Sequence, residues 1–332
     1  MSIKTLSTRL LNYVSNKTGG KYDEAEVISA RLQYTSNNET AKALGIPRRT
    51  VDRIVSRVMD RAEDQGETAM VETPKILVYD IETAPILGYM WHFWKGGTSP
   101  NMMERSSYVM SWAAKWLHDK EVMADALCYD ENYTPGDEDD TRMLLGIWEL
   151  LDEADFVVAH NGDNFDAKVL NTAFLLAGLR PPTPYRSIDT LKIAKRKFRF
   201  GSNKLDHILK LLEGRGKHDA GGFETWRGCM DGDMEAWDRM VTYNKQDVLD
   251  LETIYMQLRA WDHQHPSVAT TGRTAGRRAC TVCGSENVVD TGRTVSTNAS
   301  QFKLFQCDDC GHHMRARNSL IGKEHMHLLN AK

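Results

Sequence analysis

Three short acidic phrases stand in order along this 332-residue chain: Asp80-Ile81-Glu82-Thr83, Asn161-Gly162-Asp163-Asn164-Phe165-Asp166 and Tyr243-Asn244-Lys245-Gln246-Asp247. Oxygen ligands of this kind suit hard, partly hydrated divalent cations such as Mg²⁺ or Mn²⁺. Asp80, Glu82, Asp166 and Asp247, brought together, could hold two of them, the arrangement that hydrolyses a phosphodiester. A second chemistry lies near the other end. Cys280-Thr281-Val282-Cys283 and Cys307-Asp308-Asp309-Cys310 are two CxxC knuckles 23 residues apart. Cys280, Cys283, Cys307 and Cys310 can close one tetrahedral, structural Zn²⁺ site.

Carboxylates can share a cation only on rigid elements. Ile76-Leu77-Val78-Tyr79 reads as a buried strand carrying Asp80 and Glu82, and residues two apart on a strand face the same way. Asp166 lies just past a second apolar run, Phe156-Val157-Val158-Ala159, where a strand should hand over to a helix. Tyr243 and Asp247, four apart in a helical pattern, share a helix face. Strands are expected near 75–81, 87–93, 107–116, 121–128, 155–159 and 185–189. Met143, Leu144, Ile147, Trp148 and Leu151 mark a helix, with the acids of Gly136–Asp140 expected to favour its N-terminus.

In these phrases the segment from about Pro74 to Trp261 resembles the DnaQ-like (DEDD) 3′–5′ exonuclease superfamily, in the branch whose third motif carries tyrosine. Ser187-Ile188-Asp189-Thr190-Leu191 and Asn203-Lys204-Leu205-Asp206 are similar to the family's later strand-to-helix step and next helix. The resemblance implies a ribonuclease H-like α/β fold, a mixed sheet flanked by helices. It also implies Tyr243 orienting the attacking water, since an unperturbed phenol near pKa ~10 is a poor base. Asn161 is expected to contact the terminal nucleotide, Phe165 to pack beneath Asp166, His160 to be satisfied in the interior, and Asp163 to face solvent. The run Lys192, Lys195, Arg196, Lys197 and Arg199, with Phe198 and Phe200, reads either as a single-strand track or as a solvated helix face.

The organisation expected is a helix-turn-helix domain at 1–72, the exonuclease domain at 73–263, a linker at 264–279 and a β zinc ribbon at 280–332. In the first, a helix near Asp23–Leu32 precedes a short one over Glu39–Leu44 ended by Gly45. Pro47 suits the start of a third, in which Val51, Ile54, Val55 and Val58 form a buried stripe. Arg48, Arg49, Thr50 and Arg53 would then face outward toward nucleic acid, or serve as a solvated face. Gln264–Ala279, rich in Ser, Thr, Gly and Arg, reads as flexible. Arg315, Arg317 and Lys323 make the ribbon basic; His312 and His313 are expected at its surface, and Cys128 and Cys229 as free thiols.

Net charge is −4, a weak argument against a polyanionic partner, because the sign changes along the chain. The segments 1–72, 73–264 and 265–332 carry +1, −9 and +4, and the acidic excess falls where cations are expected. No apolar run approaches ~18 residues, so no membrane partner is expected. Met1–Asn16 lacks the pattern of a secretory signal, which makes the cytoplasm the expected location. The expected activity is hydrolysis of DNA from 3′ ends. RNA with the same site is an alternative, and so is a non-catalytic DNA-binding scaffold. No polymerase signature is visible, so a proofreading role needs a polymerase or other replication or repair partner.

Overall fold

The computed structural model describes residues 22–34, 37–64, 74–92, 99–216, 221–270 and 278–322. The chain divides into two units, Met1–Thr73 and Pro74–Lys332.

The first unit packs three helices, α1 (Glu24–Gln33), α2 (Asn37–Leu44) and α3 (Arg48–Asp64). Asp23 caps α1 by accepting from the Ala25 amide at 2.9 Å. Gly45 ends α2 at φ +63°, and the Ile46 amide returns to the Ala41 carbonyl at 3.1 Å. Val51, Ile54, Val55 and Val58 are buried against Val27, Ile28 and Ala41. Arg57 and Arg61 both bond Glu24, tying the end of α3 to the start of α1.

The second unit is built on β1 (Ile76–Thr83). Alternation along this strand divides the core. Leu77, Tyr79 and Ile81 enter one cluster, and Ile76 and Val78 enter another on the opposite face. A short pair, β2 (Leu87–Gly88) and β3 (Met103–Arg105), stands apart from the main sheet. On one side of β1 that sheet adds β4 (Val109–Trp116), antiparallel to β1, and then β5 (Met123–Ala126), antiparallel to β4. After helix α4 (Thr141–Glu153), strand β6 (Phe156–Ala159) pairs parallel with the other side of β1. Helix α5 (Asp166–Leu176) leads to β7 (Arg186–Asp189), parallel to β6. The order is β5-β4-β1-β6-β7, a mixed five-stranded sheet. Helices α6 (Thr190–Lys197), α7 (Leu205–Glu213), α8 (Phe223–Met230) and α9 (Met234–Leu258) complete the unit. This is the α/β, ribonuclease H-like architecture.

The strand expected at 87–93 shrinks to the two residues of β2; Tyr89, Met90 and Trp91 are all exposed, so apolar composition without period-two burial made no strand. Its last residue lies outside the described ones. The acids before α4 lie at its N-terminal end, with Asp140 at the cap position. Asp139 accepts from the Thr141 amide at 3.1 Å, and Asp140 turns away to the Val109 amide of β4 at 3.0 Å.

The chain ends in a three-stranded antiparallel sheet of β8 (Val288–Ser296), β9 (Gln301–Cys307) and β10 (His313–Arg315), with β9 central. The start of the segment expected to be a linker is packed: Val268 is buried in the core beside β1 and α9, and its amide bonds the Thr281 carbonyl at 2.9 Å. His265, also buried, bonds the Tyr255 hydroxyl at 3.0 Å. Residues 271–277, and Lys323 of the basic end, lie outside the described residues. Among the described residues no helix is long and apolar enough to cross a membrane.

Candidate metal centres

Asp80 and Glu82 continue the even-numbered face of β1, and α9 crosses that face. Asp247 from α9 meets them there: ligand oxygens of Asp80, Glu82 and Asp247 all lie within 4.8 Å of one another. Asp80 and Glu82 are half-buried, whereas Asp247 is only 3% exposed. Three carboxylates this close repel one another, and a buried one is costly to keep ionised unless something positive lies between them.

Asp166 stands outside that closest group. It opens α5, is buried, and accepts a hydrogen bond from the Ile81 backbone, which lies between Asp80 and Glu82. Burial lifts its carboxyl to about 7, against backbone hydrogen bonds that lower it. Its N-terminal loop is tightly held. Asn161 adopts φ +72°, a conformation that asparagine tolerates better than most residues. Its amide donates to Asp189 Oδ1 at 3.0 Å, and Asp189 also caps α6 through the Leu191 amide at 3.0 Å. A Cβ on Gly162 would stand 2.4 Å from that of Ala159, so only glycine lets this loop lie against β6.

The remaining expected residues separate into positions that fit and positions that do not. Tyr243 is half-buried, with Trp226 of α8 against its ring at 6.3 Å between centroids, 72° apart in plane. His160 is fully engaged, with Nε2 2.9 Å from the Asn203 carbonyl and Nδ1 2.9 Å from Thr190 Oγ1. A carbonyl can only accept, so Nε2 carries the proton in the first of these. Phe165 does not pack beneath Asp166; it is 42% exposed at the mouth of α5. Asp163 is not a freely solvated carboxylate, since it pairs with Lys192 and accepts from Ser187 Oγ. Desolvation raises its carboxyl, but those two hydrogen bonds outweigh it and hold the group below the usual range. Arg196 is likewise bound to Asp262 at 2.6 Å, and Phe198 and Phe200 stack at 5.1 Å between centroids and pack on the core, so much of this run is structural.

One residue escaped the sequence reading. Asn244 is completely buried and donates from Nδ2 to Asp80 Oδ2 at 2.8 Å, while its Oδ1 lies 3.2 Å from Ser111 Oγ of β4. An amide flipped end for end would place its oxygen against the carboxylate, so Asp80 itself fixes the orientation. The signal was present. Asn244 lies three residues before Asp247 and therefore shares its helix face.

The cysteine cluster is the second centre. All four Sγ atoms lie within 4.8 Å of one another, with Cys280–Cys310 and Cys283–Cys307 at 3.6 Å. A tetrahedral ZnS₄ site with ~2.3 Å bonds has sulfur–sulfur edges of ~3.8 Å, so the donor set fits zinc. A hydrogen bond from Cys283 lowers the Cys280 thiol below its ordinary range. Left-handed glycines, Gly284 and Gly311, close the two knuckles, their amides returning to the Cys280 and Cys307 carbonyls at 2.9 and 2.8 Å. His313 is exposed as expected, but His312 is not. It is 4% exposed and its Nδ1 lies 2.7 Å from the Ala260 carbonyl, because it joins the ribbon to the end of α9. Cys128 and Cys229 are free, and burial pushes both thiols up, to about 11 and 12.

In the first unit Arg49 and Arg53 are exposed on α3, Thr50 is half-buried, and Arg48 lies 3.7 Å from Asp52 on the same helix.

Residues 106–259 match the family model of the RNase_H superfamily. The mixed five-stranded sheet flanked by helices agrees with a ribonuclease H-like fold for this segment. The PolC-type DNA polymerase III of Ureaplasma parvum is 41% identical over 75 residues, which is 23% of this chain and 5% of that protein. The family B DNA polymerase of the archaeon Pyrobaculum calidifontis is similar in structure at 16% identity, with a TM-score of 0.40 over 57% of this chain and 25% of that one.

Proposed function

We propose that this protein is a metal-dependent 3′–5′ exonuclease acting on DNA, at single-stranded 3′ ends. The convergence of Asp80, Glu82 and Asp247 within 4.8 Å, with Asp166 bonded to the strand between the first two, carries the reading. A non-catalytic scaffold has no use for like charges so placed. The segment similar to a PolC-type DNA polymerase III favours DNA and makes a separate polymerase a candidate partner.

Asp80, Glu82, Asp166 and Asp247 would hold two Mg²⁺ or Mn²⁺ ions, which when bound supply an activated water and charge neutralisation at the leaving 3′ oxygen. Tyr243 orients that water from α9, backed by Trp226. Asn161 meets the terminal nucleotide. Asn244 keeps Oδ2 of Asp80 engaged and so aims its other oxygen. The ribbon cysteines hold one structural Zn²⁺, and Arg48, Arg49, Thr50 and Arg53 of α3 engage duplex phosphates.

The test is degradation of 5′-labelled single-stranded DNA and matched RNA with Mg²⁺, Mn²⁺ or EDTA. A metal-dependent ladder shortening from the 3′ end, stronger on DNA, is expected. Preference for RNA would change the substrate and keep the site. No cleavage of either strand would overturn the reading.

Asn244→Leu is expected to weaken Mn²⁺ binding by about 10–100-fold, as loss of a hydrogen bond that orients a metal ligand does. Asn244→Asp should be worse, because it sets a second carboxylate against Asp80. Calorimetric Mn²⁺ titration of the full chain measures both, and unchanged affinity in the leucine variant would show that Asp80 needs no such support.

A further inference from the structure

A cleft of about 380 Å³ opens beside the Asn161 loop, lined by His160, Asn161, Lys195, Ser202, Asn203 and Lys204, with Leu191 at its apolar side. We propose that it binds a backbone phosphate of the substrate strand, held between Lys195 and Lys204; this rests on the nuclease reading for the identity of the strand.

Some of the cations near this cleft are already neutralised by carboxylates. Along α6, Lys192 is paired with Asp163 and Arg196 with Asp262. Lys195, between them in sequence, pairs with no carboxylate among the described residues, and the same holds for Lys204. Both are exposed, and both line the same cleft. In a segment carrying −9, two uncompensated lysines at one opening create a local positive potential.

The cleft is also built. His160 Nε2 holds the Asn203 carbonyl at 2.9 Å, which fixes the chain immediately before Lys204. Lys204 is the cap residue of the nine-residue α7, so the open amides of that helix add to the potential. Ser202 and Asn161 add polar groups around the same space. Amides and hydroxyls beside two ammonium groups match a phosphodiester. They select for an anion and do not match an apolar or cationic ligand. Asn161 is common to this cleft and to the loop that leads into Asp166, which places the phosphate on the same strand that reaches the carboxylates.

The experiment is titration of a 5′-fluorescein 12-nucleotide single strand with the full chain in EDTA, where no turnover occurs, over a range of salt. Lys195→Gln/Lys204→Gln is expected to raise Kd about tenfold and to make the log K against log salt slope shallower by roughly 0.7–1.4, the change for one or two phosphates no longer neutralised. Lys195→Arg/Lys204→Arg should restore both, and Lys192→Gln, whose cation is already neutralised, should shift Kd less than twofold. Equal zinc content and melting temperature confirm that the variants fold. Unchanged Kd and slope in the glutamine pair would overturn the proposal, and so would absence of binding in the parent. A parent that binds through these lysines but never degrades the strand with Mg²⁺ or Mn²⁺ would sink the nuclease reading and leave the cleft standing.

Discussion

Asp80→Ala and Asp247→Ala are each expected to lower the rate of 3′-end degradation by at least about a thousandfold, while leaving affinity for a single strand in EDTA within a few-fold. The magnitude follows from what the carboxylates do. Charge stabilisation by a bound cation is worth several kcal/mol in the transition state, and about 4 kcal/mol corresponds to roughly 10³ in rate. Asp247 offers the cleaner case, since it is 3% exposed and its side chain cannot be replaced by solvent without opening the face between β1 and α9. Asp80 tests the site from the strand side and removes the acceptor of Asn244 at the same time. Alanine is smaller than aspartate, so neither change strains the core, and an unchanged melting temperature would separate lost chemistry from lost fold. Single-turnover rates of labelled DNA measure the loss. Degradation at parental rate in either variant would mean that the carboxylates are not the site, whatever their geometry.

The carboxylate face was legible in the sequence because strand and helix periodicities are short and rigid. Two residues along β1, and four along α9, suffice to point side chains the same way. The buried stripe of Val51, Ile54, Val55 and Val58 was legible for the same reason. What escaped depends on long-range partners. Asn244 matters through Asp80 and Ser111, 164 and 133 residues away. His312 looked like a surface residue beside four cysteines, yet its place is set by the Ala260 carbonyl, 52 residues earlier. The residues from Gln264 onward have the composition of a linker, and local composition carries no record that Val268 finds a core. Tyr89, Met90 and Trp91 failed in the opposite sense: apolar residues are read as buried, and these are exposed.

Removing zinc is expected to unfold the ribbon. The cluster around Cys280, Val282 and Cys307 has only a few partly buried apolar neighbours, among them Val288 and Met314, and Val282 is the sole fully buried side chain in it that is not a thiol. At ~25 cal/mol per Å² such a core falls far short of the conformational entropy of ordering three strands. A metal held by the four cysteines would supply the difference, since structural zinc contributes on the order of 10 kcal/mol at neutral pH. Cys283→Ser or Cys307→Ser should therefore leave less than one zinc per chain by elemental analysis and expose β8–β10 to limited proteolysis; chelation should do the same to the parent. Because His312 bonds the end of α9 and Val268 bonds Thr281, the loss should extend into residues 262–270 and not stop at Cys280. Hydrogen exchange across β8, β9 and the 262–270 segment tests that extent. If protection at Val268 survives while β9 exchanges freely, the ribbon is an independent module attached by contact alone. If both are lost together, zinc also secures the end of the helix that carries Asp247.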